Sequence, residues 1–288
     1  MTTRPLLEVR HLVVEYGTGE HAYRAVDDVS FSVPAGGSLA IVGESGSGKS
    51  TIAKALVRLL KPTAGEVLLD GTDLAVLGSR ELRPIRHRIQ MVFQDPYGSL
   101  DPHLSARDIV AEPMAARGER SKAVRRKRAA ELIDQVGLPT SALERKPHEF
   151  SGGQRQRIGI ARALASEPDV LVLDEATSAL DVSVQAQILG VLDALRRDTG
   201  LTYLAISHNL GVVRALSENV LVLRSGKVVE QGPTEEILAN PQEPYTRMLR
   251  RSALEPTTMT GLKPREMVRG IAAARAAENA AAAAAVVA

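Results

Sequence analysis

The sequence predicts an α/β fold, on the evidence of three short apolar runs and of the segments that follow them. Residues 38–42, 170–173 and 203–206 are continuous apolar runs, as expected for strands buried on both faces of a parallel sheet. A glycine-rich loop and then a helical spacing of apolar residues follow the first run. Residues 184–195 have helical spacing between the other two runs, which predicts a β–α–β unit.

The remaining elements are predicted from periodicity and from turn residues. Further strands are expected at residues 6–15, 29–33, 65–69, 90–93, 220–223 and 227–230. The last two form a hairpin around Ser225-Gly226, and residues 34–37 form a turn. Helices are expected at residues 51–60, over most of residues 102–164, and at residues 234–239. Ser121 opens one helix that ends near Gly137, and Thr234 is the expected cap of another.

Composition bounds the class of protein. The chain has 288 residues, of which 44% are hydrophobic and only 3% aromatic, so the core must consist mainly of aliphatic side chains. A net charge of +2, from 36 basic and 34 acidic residues, argues against a dedicated nucleic-acid binder. The absence of cysteine excludes disulfides, thiolate zinc sites and cysteine-ligated iron–sulfur clusters.

We expect no membrane-spanning helix. The sequence contains no apolar run near the ~18 residues that a spanning helix needs, and residues 1–10 lack the apolar core of a secretory signal. If the chain works in transport, other polypeptides must form the pore. Residues 257–288 are alanine-rich and are expected to be frayed helix or disorder, with a partner-docking helix as the alternative. The basic residues 125–128 are interpreted as a solvated helix face, balanced by Glu131 and Asp134.

A glycine-rich motif follows the first apolar run. The run Gly43-Glu44-Ser45-Gly46-Ser47-Gly48-Lys49-Ser50-Thr51 matches the phosphate-loop pattern G-x-x-x-x-G-K-[ST]. Its glycines let backbone N–H groups converge on an anion at the positive end of a helix. Lys49 is the expected partner of the outer phosphates, and the Ser50 hydroxyl is the expected ligand of Mg²⁺. The motif predicts nucleotide triphosphate binding but does not decide the class of NTPase.

Two adjacent carboxylates end the second apolar run. Asp174 and Glu175 follow residues 170–173, and successive strand residues point to opposite sides. We therefore expect Asp174 to face the Mg²⁺ shell and Glu175 to lie near the attacking water.

A Ser-Gly-Gly-Gln loop decides the class. Ser151 can cap a helix, while Gly152 and Gly153, followed by Gln154, expose backbone N–H groups for a second anion site. The order of phosphate loop, this loop, carboxylate strand and a later His resembles the ABC ATPase family over nearly the whole chain. The resemblance implies a P-loop NTPase (RecA-like) core with an N-terminal antiparallel β-subdomain and an inserted helical signature subdomain.

The resemblance also implies a domain organisation. The ABC ATPase domain is expected over residues 1–256, with its helical subdomain at about residues 96–165 and a C-terminal Pro-Tyr-Thr segment at about residues 240–256. The alanine-rich tail follows from residue 257.

Family likeness assigns further roles residue by residue. Gln94 resembles the family's glutamine that contacts Mg²⁺ and water. Asp181 resembles the aspartate of the loop that crosses the dimer interface, and His208 resembles the histidine that contacts the γ-phosphate. Tyr16 is expected to stack on adenine, with Tyr23 as the competing candidate. In this family two subunits pack head to tail, and each signature loop closes on the ATP held by the other subunit.

Other stretches resemble the oligopeptide and dipeptide importers, and within them the F-type ATPase partner. These stretches are residues 94–102, 147–150, 179–189 and 241–246, although Glu243 and Asn209 replace the group's usual His and Asp. The resemblance implies ATP and Mg²⁺ as cofactors and a peripheral location on the cytoplasmic side of the membrane. The implied partners are two permease subunits, a second ATPase subunit and an extracellular or periplasmic substrate-binding protein, with no nucleic acid.

Alternatives to peptide import stay open. Nickel importers share much of the pattern, and an ABC ATPase without a membrane partner, a non-hydrolysing regulatory module or an exporter are further readings. A single cassette of this length without cysteine disfavours an ABC ATPase without a membrane partner. The intact Glu175, Gln94 and His208 disfavour a non-hydrolysing regulatory module.

Overall fold

The computed structural model describes residues 4–19, 22–95, 98–178, 180 and 182–254. The strands are β1 (Leu7–Tyr16), β2 (Tyr23–Val33), β3 (Ser38–Val42), β4 (Ala64–Leu69), β5 (Thr72–Asp73), β6 (Ile89–Val92), β7 (Val170–Asp174), β8 (Thr202–Ile206), β9 (Asn219–Arg224) and β10 (Lys227–Pro233). The helices are α1 (Lys49–Leu56), α2 (Ser79–Leu82), α3 (Ala106–Ala116), α4 (Lys122–Gln135), α5 (Gly152–Leu164), α6 (Val182–Thr199), α7 (Leu210–Leu216), α8 (Thr234–Ala239) and α9 (Pro244–Leu254).

The strands form two sheets. A four-stranded antiparallel sheet has the order β2-β1-β4-β5, and a six-stranded sheet has the order β10-β9-β3-β8-β7-β6. In the larger sheet β9, β3, β8, β7 and β6 are parallel neighbours, and β10 pairs antiparallel with β9. The predicted α/β class, the β–α–β unit of β7, α6 and β8, and the β9–β10 hairpin are therefore confirmed.

The larger sheet separates two hydrophobic cores. Every residue of β3, β7 and β8 is buried, because helices or the smaller sheet cover both faces. Alternate residues of β7 face opposite cores: Leu171 and Leu173 pack with α3, α4, α5 and α6, whereas Val170 and Val172 pack with α1 and the antiparallel sheet. A third, smaller cluster joins β3 and β9 to α7, α8 and α9.

Several predicted boundaries were wrong for identifiable reasons. The helix expected at residues 51–60 starts at Lys49 and ends at Leu56, because Arg58 adopts a positive φ of 55° and breaks the helix. β2 begins at residue 23 rather than 29. Residues 23–28 show no alternation of apolar and polar side chains, but they pair with β1 and so extend the strand.

The expected cap of α8 was also wrong. The structure makes Thr234 the first helical residue after Pro233, with its hydroxyl buried and without a hydrogen-bond partner in the part of the chain that is described. The capping role expected of Ser121 is confirmed, because its hydroxyl accepts from the Val124 amide at 3.3 Å.

The compact unit spans Met1–Leu249, and residues 250–288 form a second unit, of which only the end of α9 is described. The predicted tail from residue 257 lies outside the described residues. Among the helices that the structure describes, none is both long enough and apolar enough to cross a bilayer.

Truncation of the helical core should destabilise the chain. Leu192 in α6 is fully buried, so Leu192→Ala should lower the free energy of unfolding by about 2–5 kcal/mol. The control Leu59→Ala removes the same atoms from a side chain that is 61% exposed and should change it by less than about 0.5 kcal/mol. Denaturant unfolding measures both values, and equal effects would contradict the described core.

Candidate functional site

The phosphate loop connects β3 to α1 and depends on two glycines with positive φ. Gly43 has φ of 155° and Gly48 has φ of 107°, so both adopt backbone conformations that side chains disfavour. A Cβ on Gly43 would overlap the Leu223 carbonyl oxygen, and a Cβ on Gly48 would overlap the Ala25 carbonyl oxygen. The loop is therefore packed from behind by β9 and β2, which leaves its other side for a ligand.

Lys49 lies at the start of α1 and folds back over the loop. Its ammonium donates to the carbonyl oxygens of Gly43 at 2.9 Å and Glu44 at 2.7 Å. The side chain is only 5% exposed, and burial lowers the pKa of Lys49, while the negative charges of Glu175 and Asp174 act in the opposite direction. An anion bound beside this buried ammonium would compensate for the lost hydration.

Ser50 meets the first of the two carboxylates. Its hydroxyl donates to Asp174 Oδ1 at 2.9 Å, although the two residues are 124 positions apart. Asp174 is buried at the end of β7, and this burial raises its pKa against the opposing effect of the Ser50 hydrogen bond. A hydroxyl and a buried carboxylate thus face each other, and both present oxygen atoms that suit a hard cation.

Two other predicted site residues, Gln94 and His208, contact the carboxylate of Glu175. Its Oε2 accepts from Gln94 Nε2 at 2.9 Å and lies 3.4 Å from His208 Nδ1. Its backbone has φ of 47°, an uncommon conformation for a residue other than glycine, and its N–H donates to Ile206 O at 2.9 Å. The bend turns the carboxylate away from the strand direction and toward the residues that follow β6 and β8.

A cavity of about 350 Å³ lies in front of these groups. It is lined by Tyr16, Tyr23, Gln94 and Glu175 and by the phosphate-loop residues Ser45, Gly46, Gly48, Lys49, Ser50 and Thr51. Tyr16 and Tyr23 are partners across β1 and β2, and both are exposed, at 42% and 58%. The sequence offers the two tyrosines as competing candidates, whereas the structure places both in the lining of one cavity.

The signature loop begins α5 with a reciprocal cap. The Ser151 hydroxyl accepts from the Gln154 amide at 3.3 Å, and the Ser151 amide donates to Gln154 Oε1 at 3.1 Å. The first N–H groups of a helix have no partner within it, so α5 begins with a positive end at Gly152 and Gly153. The exposure expected of both glycines is wrong for Gly153, which is buried where α5 packs on Val184. Within the described part of the chain, none of these four residues lines the phosphate-loop cavity.

Comparisons with known proteins agree with this geometry. Residues 26–178 match the family model described as ABC transporter. The chain is 46% identical over 270 residues to a putative peptide import ATP-binding protein of Brucella ovis, covering 94% of this chain and 85% of that relative. This chain belongs to the ABC transporter family.

Other relatives and solved structures extend the comparison. The oligopeptide transport ATP-binding protein OppF of Bacillus subtilis is 45% identical, covering 86% of this chain and 82% of the relative. OppD of Mycobacterium bovis is 49% identical, with 85% of this chain but 41% of that relative covered.

Among solved structures, a dimeric post-hydrolysis state of the ATP-binding cassette MJ0796 bound to ADP and Pi has a TM-score of 0.73 and 34% identity, covering 79% of this chain and 98% of that one. CbiO1 from Clostridium perfringens, part of the ABC transporter complex CbiONQ, has a TM-score of 0.73 and 29% identity, covering 82% and 91%. The P-loop ATPase fold of an ABC cassette and the resemblance to peptide import ATP-binding proteins are confirmed.

The structure shows contacts that the sequence did not reveal, and one expected site residue is not described. Asp181 lies outside the described residues, and its role stays a prediction. The Glu44 amide donates to the hydroxyl of Tyr245, 201 positions away, and the Gly226 amide donates to Ser47 O at 2.9 Å. Neither contact has a local sequence signal, because the partners meet only when β9, β10 and α9 fold against the loop.

The packing of the signature loop against α6 makes Gly153 sensitive to substitution. A Cβ on Gly153 would overlap Val184 Cγ1, whereas a Cβ on Gly159, in the same helix, meets nothing within 4 Å. Gly153→Ala should therefore lower the free energy of unfolding by about 1–3 kcal/mol. Gly159→Ala should raise it by about 0.5–1 kcal/mol, because glycine disfavours a helix interior.

A double variant separates this overlap from other effects. Adding Val184→Ala to Gly153→Ala removes the overlapping methyl, so the combined loss of stability should be smaller than the sum of the two single losses. Denaturant unfolding of the four variants gives these values. Equal effects at Gly153 and Gly159 would refute the contact between α5 and α6.

Proposed function

We propose that this chain is the ATP-binding and ATP-hydrolysing subunit of an ABC importer that powers the uptake of peptides through partner permeases. The observation that carries the ATPase proposal is that one cavity is lined by Lys49, Ser50, Gln94 and Glu175. Asp174 contacts Ser50, and His208 contacts Glu175, as neighbours of this lining. The names and coverage of the peptide import relatives support the cargo class.

The phosphate loop is proposed to bind the phosphates of ATP. Loop amides and the N-terminus of α1 supply a positive field. The Lys49 ammonium donates to two loop carbonyl oxygens and has a third N–H for a phosphate oxygen. The buried Ser47 hydroxyl has no partner among the described residues and is a further donor on this loop. Tyr16 and Tyr23 provide an exposed aromatic pair for the adenine base.

The residues present fit a magnesium ion. The structure describes no cluster of three or more His, Cys, Asp or Glu side chains that would form a dedicated metal cage within the parts of the chain it covers. Mg²⁺ typically takes few protein ligands and completes its shell with water and phosphate oxygens. Ser50 and Asp174 are proposed as its ligands, with Gln94 beside them, and bound Mg²⁺ would neutralise charge on the phosphate oxygens.

Glu175 is proposed to orient and deprotonate the attacking water. Gln94 holds one carboxylate oxygen through a hydrogen bond, and His208 stands beside the same oxygen, where it can donate to the γ-phosphate. Catalysis then rests on positioning and on electrostatic stabilisation of the transferring phosphoryl group by Lys49 and His208.

The signature loop is proposed to act on ATP held by another subunit. Ser151, Gly152, Gly153 and Gln154 present a capped helix end outside this chain's own phosphate-loop cavity. The dimeric solved cassettes support an arrangement in which the loop completes a neighbour's site. ATP would then hold two subunits together, and its hydrolysis would release them.

The proposed cellular setting follows from the importer assignment. The chain would act peripherally on the cytoplasmic side of the membrane, with two permease subunits, a second ATPase subunit and an external substrate-binding protein. Its balanced charge gives no reason to add nucleic acid to these partners.

Replacement of Glu175 by Gln tests the catalytic proposal. Glu175→Gln keeps the shape of the side chain but removes the base, so kcat for ATP hydrolysis should fall about a hundredfold or more while the Kd for ATP stays within about twofold. Glu167→Gln is the matched control, because Glu167 is exposed and pairs with Arg117 away from the cavity. Unchanged steady-state turnover in Glu175→Gln would refute the role.

Reconstitution tests the cargo. The complete transporter, assembled from this chain and its partners in proteoliposomes, should accumulate a labelled oligopeptide with ATP and should lose that uptake when this chain carries Glu175→Gln. Its ATPase rate should rise when peptide-loaded binding protein is added. Uptake of nickel with no response to peptides would overturn the peptide assignment while leaving the ATPase assignment intact.

A further inference from the structure

The back of the phosphate loop is held by the last part of the fold. Three loop residues contact it: Gly43 packs on the Leu223 carbonyl, Ser47 O accepts from the Gly226 amide at 2.9 Å, and the Glu44 amide donates to Tyr245 Oη at 3.1 Å. The first two contacts involve backbone only. The third depends on a single side-chain hydroxyl, which is the only one of these contacts that a conservative substitution can remove.

Tyr245 is built into this position. It lies on α9, is only 6% exposed, and packs in the core cluster of β3, β9, α7 and α8. The Arg224 guanidinium, at the end of β9, stacks 4.9 Å from the centre of its ring. Packing and stacking fix the ring, so its hydroxyl has a defined place beneath the loop.

The hydrogen bond from Glu44 acts on one particular peptide plane. The amide N–H of Glu44 and the carbonyl of Gly43 belong to the same peptide unit, which is planar and trans, so they point to opposite sides. Tyr245 accepts from the N–H on one side, and the Lys49 ammonium donates to the carbonyl on the other side at 2.9 Å. The orientation of this plane therefore connects Tyr245 to the position of Lys49.

We propose that Tyr245 is a positioning residue for nucleotide binding, which holds the Gly43–Glu44 peptide so that the phosphate loop and Lys49 are preorganised for ATP. This inference rests on the proposed function. Without the hydroxyl, the part-buried Glu44 amide loses its partner and the peptide plane can rotate. Binding of ATP must then order the loop, and the resulting cost is the same in the ground state and in the transition state.

Tyr245→Phe tests the proposal, because it removes the hydroxyl and keeps the ring. Both the Kd and the KM for ATP should rise, on the order of tenfold, while kcat stays within about twofold. A merely structural role would lower the active fraction, so apparent kcat would fall with KM unchanged. That result, or an unchanged Kd, would overturn the proposal.

Tyr203→Phe is the matched control. Tyr203 is another buried tyrosine, and its hydroxyl donates to Leu192 O at 2.8 Å, away from the loop and the cavity. Both variants should lower Tm by a few degrees, but only Tyr245→Phe should weaken ATP binding. An equal loss of ATP affinity in both variants would attribute the effect to stability and refute the positioning role.

Binding and turnover are measured separately so that two kinds of failure can be told apart. If the wild-type chain binds ATP in a titration but fails to hydrolyse it with its partners, the proposed ATPase function fails. The comparison of Kd values between wild type, Tyr245→Phe and Tyr203→Phe still decides the role of Tyr245. In that case an unchanged Kd in Tyr245→Phe refutes the inference, and a selective rise supports it.

Discussion

The parallel pairing of β3, β8, β7 and β6 is the constraint on which the candidate site depends. Parallel strands end at the same edge of a sheet, so the segments that follow them meet there. The phosphate loop follows β3, Asp174 ends β7, Gln94 follows β6, and His208 follows β8. The register of the strands is therefore enough to bring residues that are distant in the sequence within hydrogen-bond distance.

Register is fixed by burial on both faces of these strands. A shift of one residue in β7 would exchange Leu171 and Leu173, which face one core, with Val170 and Val172, which face the other. The same shift would move Asp174 away from Ser50. Core packing and the geometry of the carboxylates therefore have one common cause, and the strained φ of Glu175 is accommodated where β7 ends against Ile206.

The sequence predicted the fold, and it indicated most of the candidate site residues, because its motifs are local. The phosphate loop, the Asp174-Glu175 pair and the Ser151 cap can each be recognised from a few adjacent residues, and sheet topology then brings the first two together. Helix and strand ends were harder to predict: the positive φ of Arg58 and the pairing of residues 23–28 with β1 depend on tertiary contacts.

What sequence reasoning missed was the support of the loop from the other end of the chain. Tyr245 lies in a recognisable Pro-Tyr-Thr segment, but nothing in that segment indicates that its hydroxyl accepts from Glu44. The two tyrosines at the cavity were treated as alternatives because the pairing of Tyr16 with Tyr23 is a property of strand register. In both cases the contact joins two separate elements, and no local sequence pattern indicates that these elements meet.

The central claim is that Ser50 and Asp174, contributed by separate elements, form one magnesium–nucleotide site. A double-mutant cycle tests it directly, by titration of ATP in the presence of Mg²⁺ with wild type, Ser50→Ala, Asp174→Asn and the double variant. We expect each single change to weaken Mg²⁺-dependent ATP binding, and the double variant to be little weaker than the worse single variant. Fully additive losses, or Mg²⁺-dependent affinity that neither change affects, would contradict the account.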